Sequence, residues 1–206
     1  MTDLINKLAG EIFGIKADPC DAERLCAHIK KKYGSENPQD IRNFFTSGEA
    51  ACFLTVNETY FFREPLHFTF LRNMLPNFED TEMRICSAAT STGCEAYSIA
   101  MFLEAYNRGR AKPLRYHIDA FDINPEAVKK ASLGIYNERS MRDDGSSLRY
   151  MAEPWVKRLE RGWQVDPSLK KNINFFAHNL MDDIAPNAYH FVFFNPLRQR
   201  TNIVHI

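Results

Sequence analysis

Residues 83–106 read Met-Arg-Ile-Cys-Ser-Ala-Ala-Thr-Ser-Thr-Gly-Cys-Glu-Ala-Tyr-Ser-Ile-Ala-Met-Phe-Leu-Glu-Ala-Tyr. This stretch predicts a short apolar strand, a turn of small residues and then an amphipathic helix. Small residues at such a turn let a ligand approach the backbone, and the free N–H groups of the following helix favour electron-rich groups. An α/β sheet forms cofactor pockets in this way at the carboxyl ends of its strands. The turn has a single glycine, Gly93, so it is not the dinucleotide-binding G-x-G-x-x-G motif.

The sequence around this stretch alternates between predicted strands and helices. Apolar, strand-like runs occur at four places: Met83–Ala88, His117–Phe121, Ile173–Ala177 and Phe191–Phe194. Helical segments are predicted between them at Glu95–Asn107, Pro125–Leu133 and Pro154–Glu160. Strands that alternate with helices predict an α/β fold with a mostly parallel sheet.

The residues before Pro76 have a different pattern, with apolar positions at helical spacing. One helix is predicted over residues 3–13, a second is opened by Asp21, and a third starts at Asn37-Pro38. We therefore predict a small N-terminal helical domain over residues 1–75 and an α/β domain over residues 76–206.

Composition excludes several classes of partner. Lys+Arg and Asp+Glu number 26 each, which argues against nucleic acid or an anionic membrane as a bulk electrostatic partner. No apolar run has the length of a membrane span, and the N-terminus lacks a signal-peptide layout. The five cysteines include no C-x-x-C pair, and the histidines lack metal-ligand spacing, so we expect no metal site. A cytoplasmic protein without membrane insertion is the expectation.

Asp122 ends the second predicted strand of the sheet. An acid at this position commonly accepts hydrogen bonds from ribose hydroxyls. The alternative is that Asp122 caps the helix that begins near Pro125. The two interpretations have about equal weight from the residue alone. Asp119 is a weaker ribose candidate because it lies inside the strand.

Three other features each allow a functional and a structural interpretation. In Asn57–Glu64, two adjacent phenylalanines with polar neighbours are typical of a core anchor with a solvated edge. Asn179 follows a strand, where ligands bind, but a loop asparagine is usually a turn former. Cys94 is either a thiol activated by a helix N-terminus or, more commonly, a small buried residue.

Three segments, taken in order, resemble the CheR family of chemotaxis receptor methyltransferases. Asn57–Glu64 (Asn-Glu-Thr-Tyr-Phe-Phe-Arg-Glu) is similar to the family's N-x-T-x-F-F-R-E. Ser87–Ala100 is similar to its S-A-x-x-S-T-G-E-E-P-Y-S-I-A. Phe121–Asn124, followed by Ala131–Tyr136, is similar to its D-I-x…A-x-x-G-x-Y. The resemblance covers roughly residues 1–194 and includes the helical N-terminal part.

The resemblance implies a Rossmann-like class I methyltransferase domain that uses S-adenosyl-L-methionine to methylate glutamate side chains on the cytoplasmic helices of chemotaxis receptors. By position, Asn57, Thr59 and Arg63 would contact the methionine end of the cofactor. Arg63 would also hold a carboxylate, of the cofactor or of the substrate, and is the candidate catalytic residue. The remaining cofactor-binding candidates are Gly93 and Glu95 in the turn, Asp122 at the ribose, and Asn179 and Leu180 by the adenine.

The sequence departs from the family pattern at two places. Cys94 stands where the family has the first glutamate of S-T-G-E-E, which is expected to contact the cofactor, and a thiol lacks the acceptor oxygens of a carboxylate. After Phe191–Phe194, residues 195–206 do not continue the family pattern. Phe191–Phe194 is apolar on both faces, which is typical of a central strand. We therefore expect that the last strands of the methyltransferase domain are missing.

These departures leave two functional hypotheses open. The first is a receptor methyltransferase whose chain is truncated at the C-terminus. The second is a non-catalytic remnant that binds a cofactor or docks to a partner without transferring methyl groups. A nicotinamide-dependent dehydrogenase is disfavoured because the glycine pattern is wrong.

Overall fold

The computed structural model describes residues 2–34, 37–54, 59–142, 148–182 and 188–194. The helices are α1 (Thr2–Phe13), α2 (Pro19–Tyr33), α3 (Pro38–Thr46), α4 (Ala51–Leu54), α5 (Pro65–Met74), α6 (Cys94–Asn107) and α7 (Pro125–Leu133). The strands are β1 (Met83–Ala88), β2 (Tyr116–Asp122), β3 (Ile135–Tyr136), β4 (Val156–Arg158), β5 (Trp163–Val165), β6 (Ile173–Ala177) and β7 (Phe191–Phe194).

Helix α2 begins at Pro19, two residues before the predicted start at Asp21. Asp18 is the N-cap, and its side chain accepts a hydrogen bond from the backbone N–H of Cys20 at 2.9 Å. Proline suits the first helical position because the N–H that it lacks would have no partner there. The local capping chemistry, rather than the apolar spacing, therefore decides where α2 starts.

Four parallel strands form the main sheet in the order β6-β2-β1-β7. The predicted α/β fold and the four predicted strands are confirmed. In this order the carboxyl ends of β1 and β2 lie side by side, with Ala88 opposite Phe121. The carboxyl end of β6 lies next to β2, with Ala177 opposite Asp122. The three strand ends therefore form one edge at which polar loop residues meet.

Strand β7 lies at an edge of this sheet as far as the described residues show. Its one strand neighbour there is β1, although its apolar pattern predicted a central strand. Phe191 and Phe193 are buried on the side that packs against the main core. The apolar faces of β7 thus reflect contacts above and below the sheet as much as strand pairing.

The predicted helix over Pro154–Glu160 is wrong. A single 3₁₀ turn, Glu153–Trp155, leads into β4, which pairs antiparallel with β5, and β3 pairs with the other side of β5. Gly162 closes the β4–β5 turn with a φ of +100°, and a Cβ there would lie 1.9 Å from the Tyr136 carbonyl oxygen. Proline at the start of a segment suits a helix, but this tertiary contact and the cross-strand pairing favour a hairpin.

The described residues form three apolar clusters, of which the smallest contains Cys86, Ala88 and Phe121 and the two larger ones divide the chain. One is formed by α1–α4, and its residues run from Ile5 to Ala51. The other begins at Phe61 and contains β1, α6 and also α5. Helix α5 lies before the predicted boundary at residue 75 but packs with the sheet. The change from one core to the other therefore falls between Leu54 and Phe61.

None of the helices that the structure describes is both long enough and apolar enough to cross a membrane.

Candidate active site

A pocket lies beside the carboxyl end of β1, between the β1–α6 turn and the segment that precedes α5. Both sequence segments that were singled out above contribute to it. Its lining residues are Thr59, Tyr60, Phe62, Arg63, Glu64, His67, Phe68, Ala89, Thr90, Ser91, Glu95, Ser98, Ile99 and Phe193. The polar residues come mainly from the two segments, and the apolar ones come from α5, α6 and β7.

Backbone strain is concentrated at this pocket. Among the described residues, Phe62, Ala89 and Ser91 are the ones other than glycine that have positive φ, between +53° and +56°. All three line the pocket. Such conformations cost roughly 1–2 kcal/mol each and persist where surrounding contacts enforce them, commonly at functional sites. The strained backbone therefore indicates, independently of any sequence resemblance, that this pocket is a candidate functional site.

Phe62 illustrates how these contacts enforce the strained conformation. Its N–H donates to Ser98 Oγ on α6 at 2.9 Å, and its ring packs on Phe68 with ring centres 4.9 Å apart. Phe61 packs on Tyr136 at 4.9 Å. The two phenylalanines are thus the core anchor that the sequence predicted. Their burial holds Thr59 and Arg63 on either side at the pocket.

Asp122 ties the β1–α6 turn to the end of β2. One carboxylate oxygen, Oδ2, accepts the backbone N–H of Ser91 at 2.7 Å, and Oδ1 accepts that of Asn124 at 2.9 Å. The residue is 5% exposed, and burial raises the pKa of its carboxyl in spite of these hydrogen bonds. The backbone N–H of Ile123 is a third donor, and because a carboxylate has about four acceptor positions, acceptor capacity remains for a further donor.

The helix cap predicted at Asp122 is made by Asn124 instead. Asn124 Oδ1 accepts from the N–H groups of Glu126 at 3.0 Å and Ala127 at 3.2 Å, in the first turn of α7. An N-cap bonds to the second and third residues after it, and Asn124 has this spacing. The structural alternative for Asp122 is therefore wrong, because Asp122 lies two residues before the N-cap position.

Gly93 supports the turn through packing. Its φ is +86°, and a Cβ at this position would lie 2.7 Å from the Ala131 Cβ and 3.0 Å from a Phe175 ring carbon. The space that a side chain would need is therefore filled by α7 and β6. Close approach of protein, rather than of a ligand, explains why glycine is needed at this position.

Glu95 lines the pocket from the first turn of α6. Its Oε1 accepts from Ser87 Oγ at 2.7 Å. Burial raises the pKa of the Glu95 carboxyl to about 7, while the Ser87 hydrogen bond and the charge of Arg63 act in the opposite direction. Glu95 is therefore anionic only above about neutral pH.

Arg63 and Thr59 lie in the same pocket. Arg63 Nε is 4.0 Å from Glu64 Oε1, and its guanidinium carbon is 5.9 Å from the centre of the Tyr60 ring. The pocket thus holds a cation and two carboxylates within one small volume. Such a set of charges suits a ligand that carries both signs.

Cys94 does not face the pocket. Its side chain is 0% exposed, lies in the main core and contacts the hydroxyls of Thr59, Thr92 and Ser140. Burial raises the pKa of the Cys94 thiol to about 12, despite its place at a helix N-terminus. The structure supports the interpretation as a small buried residue. Cys94 is therefore not among the residues that line the pocket, whereas the next residue, Glu95, is.

Replacing Cys94 by glutamate should therefore destabilise the protein rather than improve its site. A carboxylate in this closed slot would lose its hydration, and the described groups that contact position 94 are uncharged hydroxyls, so we expect a loss of about 3 kcal/mol or more. Urea unfolding followed by tryptophan fluorescence measures the loss. Cys94→Ala, which changes volume but adds no charge, is the control and should lose much less. Unchanged stability with tighter ligand binding in Cys94→Glu would contradict this placement.

The remaining candidates lie at the carboxyl end of β6 or outside the described residues. Asn179 Nδ2 donates to the Ile12 carbonyl of α1 at 2.6 Å, and its Oδ1 accepts from the Met181 N–H at 3.0 Å. Leu180 is exposed. Asn179 thus connects the helical part to the sheet, on the same edge as Asp122. Asn57 lies outside the described residues.

Sequence reasoning missed His67, which is 2% exposed and lines the pocket. Its ring packs edge-on against Phe193, with ring centres 5.4 Å apart. Burial lowers the pKa of the His67 ring, which favours the neutral imidazole, while the charge of Glu64 acts in the opposite direction. Its place in the first turn of α5, directly after the Asn57–Glu64 segment, was the signal that could have revealed it.

Comparison with known proteins identifies the family. Residues 57–194, most of the chain, match the model of the "CheR methyltransferase, SAM binding domain". The chain belongs to this family. The match begins in the segment that precedes α5 and ends with β7, so it contains the whole pocket. S-adenosyl-L-methionine is the cofactor that this family's domain binds.

Several proteins with similar sequences are named as methyltransferases. A chemotaxis protein methyltransferase of Borreliella burgdorferi is 37% identical over 142 residues, which are 65% of this chain and 49% of that protein. One from Listeria monocytogenes is 31% identical over 170 residues, 78% of this chain and 62% of that protein. A probable biofilm formation methyltransferase, WspC, of Pseudomonas aeruginosa is 34% identical over 148 residues, 68% of this chain and 34% of that protein. The chain spans about half the length of the curated relatives that it matches.

Proposed function

We propose that this protein transfers methyl groups from S-adenosyl-L-methionine to glutamate side chains on the cytoplasmic helices of chemotaxis receptors. The observation that carries the proposal is the pocket in which Arg63 and Glu95 meet beside a strained turn that Asp122 holds in place. The names of the chemotaxis relatives support the receptor as substrate. A receptor's cytoplasmic helices also require a cytoplasmic location of the enzyme.

The charges of the pocket fit the amino-acid end of the cofactor, which carries an ammonium and a carboxylate. Arg63 would pair with the carboxylate, and Glu95 with the ammonium. Thr59 lines the same pocket and would supply a hydroxyl. Asn57 would join them according to the family pattern.

The strand ends next to the pocket fit the nucleoside end of the cofactor. Asp122 has acceptor positions left for ribose hydroxyls at the carboxyl end of β2, where such groups bind in Rossmann-like folds. Asn179 and Leu180 follow the neighbouring strand β6 and would lie by the adenine. Gly93 would contribute by allowing the backbone conformation of the turn, which lies between the sites for the amino-acid end and the nucleoside end of the cofactor.

Methyl transfer to a glutamate carboxylate would require the protein mainly to position the two reactants. The cofactor supplies an activated methyl group, and a glutamate carboxylate is already anionic at neutral pH, so no strong general base is needed. The residues of the pocket would hold the two reactants in line and exclude water. Arg63 would orient a carboxylate and is the candidate catalytic residue for this reason.

The proposal is tested in two steps with the 206-residue chain. Calorimetry with S-adenosyl-L-methionine and S-adenosylhomocysteine should detect binding, and Arg63→Ala should weaken it. A labelled-methyl assay on receptor cytoplasmic fragments should then detect base-labile methyl esters. Binding without transfer would leave a non-catalytic binding module, and absence of binding would refute the proposal.

The affinity for S-adenosylhomocysteine should fall as the pH is lowered from 8 to 6. Because its pKa is raised to about 7, Glu95 loses its negative charge in this range and no longer attracts the ammonium. If the anionic form binds, affinity drops about tenfold one unit below the pKa. Calorimetry at several pH values measures the trend.

Two variants isolate the contribution of Glu95. Glu95→Gln should bind more weakly at pH 8 and show little change with pH. Glu64→Gln, in which the second pocket carboxylate is removed, should retain the wild-type trend. The same slope in wild type and Glu95→Gln would contradict the assignment of the trend to Glu95.

A further inference from the structure

His67 is a buried pocket residue whose hydrogen bonding is incomplete among the described residues. Its side chain is buried, and Nε2 has no hydrogen-bond partner within the part of the chain that the structure describes. A buried polar nitrogen without a partner costs roughly 1–3 kcal/mol. Such groups are rare in native proteins and call for an explanation.

The surroundings of His67 indicate where a partner would come from. Phe193 covers the ring from one side at 5.4 Å, and Phe68 and Ile99 also line the pocket at this end. These apolar neighbours offer no side-chain acceptor, and the Glu64 carboxylate acts on the His67 ring through its charge without accepting from Nε2 among the described residues. Arg63, which precedes α5, lines the polar part of the same pocket. A ligand in the pocket can therefore supply the missing partner.

The expected partner is an acceptor with negative charge. His67 lies in the first turn of α5, whose N-terminus carries a partial positive charge, and the N-cap residue Glu64 makes no side-chain cap. Glu64 instead lies beside Arg63 at 4.0 Å. A neutral imidazole offers one N–H, and with Arg63 and the helix end it forms a set of donors for a carboxylate.

We propose that His67 is a further binding residue, which donates its Nε2–H to the carboxylate at the methionine end of the cofactor, next to Arg63. The inference rests on the proposed function, since that function brings this carboxylate into the pocket. Glu95 is left for the ammonium of the same ligand. His67 would thus distinguish the intact amino-acid end from analogues that lack the carboxylate.

The test uses the full chain and two ligands, S-adenosylhomocysteine and its decarboxylated analogue, which lacks only the carboxylate. His67→Phe retains an aromatic ring against Phe193 but removes both nitrogens. It should lower the affinity for S-adenosylhomocysteine about tenfold or more, the loss expected for a hydrogen bond to a charged group. Its affinity for the decarboxylated analogue should equal that of the wild type.

A second variant and a second measurement separate binding from folding. In His67→Gln the side-chain amide can place an N–H near the position of Nε2, so S-adenosylhomocysteine should bind within about threefold of wild type. In the absence of ligand, His67→Phe should melt at a higher temperature than wild type, because a buried unpaired nitrogen is gone. The rise in melting temperature on adding ligand should be smaller in His67→Phe.

The outcomes distinguish this inference from the proposed function. Equal affinity of wild type and His67→Phe for S-adenosylhomocysteine would overturn the role of His67 and leave the function intact. Equal losses for both ligands would also overturn it, because the effect would then not involve the carboxylate. A wild-type chain that binds neither ligand would overturn the function and the inference together.

Discussion

Replacement of Asp122 by alanine is expected to weaken S-adenosylhomocysteine binding about a hundredfold and to destabilise the fold. The binding loss follows from the proposed role of Asp122 as the charged acceptor of ribose hydroxyls, because hydrogen bonds to charged groups contribute about 1.5–3 kcal/mol each. The stability loss has a different cause. The buried N–H groups of Ser91 and Asn124 lose their acceptors, which costs about 2 kcal/mol or more.

Calorimetry and urea unfolding measure the two effects separately. Asp122→Asn retains the size and one acceptor oxygen, so it should fold more stably than the alanine variant while binding remains impaired. Asp119→Ala is the matched control on the same strand. Asp119 accepts from Asn174 and Tyr189 rather than from the turn, so its loss should leave ligand affinity unchanged. Wild-type affinity in Asp122→Asn would rule out the ribose role.

Replacement of Gly93 by alanine should destabilise the protein by about 3 kcal/mol. Part of the loss comes from φ of +86°, which costs a residue with a Cβ roughly 1–2 kcal/mol. The rest comes from overlap, because the new Cβ would lie 2.7 Å from Ala131 and 3.0 Å from Phe175. Helix α7 or strand β6 must then shift, and overpacking of this kind costs about 1–3 kcal/mol.

Gly109→Ala is the control for the backbone contribution alone. Gly109 has a similar φ of +77° but nothing within 4 Å of the added Cβ, so its loss should be about 1–2 kcal/mol. Urea unfolding followed by the fluorescence of Trp155 and Trp163, which pack against the main core, measures both variants. Equal losses in the two variants would show that packing around Gly93 is not tight.

Much of the fold could be predicted because local patterns specify it. Periodicity predicts the strands β1, β2, β6 and β7 and the helices between them. The alternation of strands and helices predicts that the strands run parallel. The hairpin of β4 and β5 could not be predicted in this way. Its strands have three residues each, too few for a period to be recognised, and Pro154 favours a helix start locally.

The candidate site was predictable at the level of segments and less so at the level of side chains. The turn at residues 89–93 and the segment before α5 do meet at one pocket. Glu95, which was among the predicted site residues, lines the pocket, and the neighbouring position 94 does not, because on a helix one residue changes the direction of a side chain by about 100°. Cys94 therefore points into the core, whereas Glu95 points into the pocket.

The sequence by itself determined the family resemblance, through three segments in the right order, and the turn at Ser91–Glu95 predicted the edge of the sheet where a cofactor would bind, because strand, turn and helix are local features of adjacent residues. Only the tertiary structure decided what the individual residues do. Gly93 leaves the space that Ala131 and Phe175 occupy, Asp122 anchors the turn, and His67 Nε2 finds no hydrogen-bond partner among the described residues. Each of these properties depends on contacts between residues far apart in the chain, which spacing along the sequence does not encode.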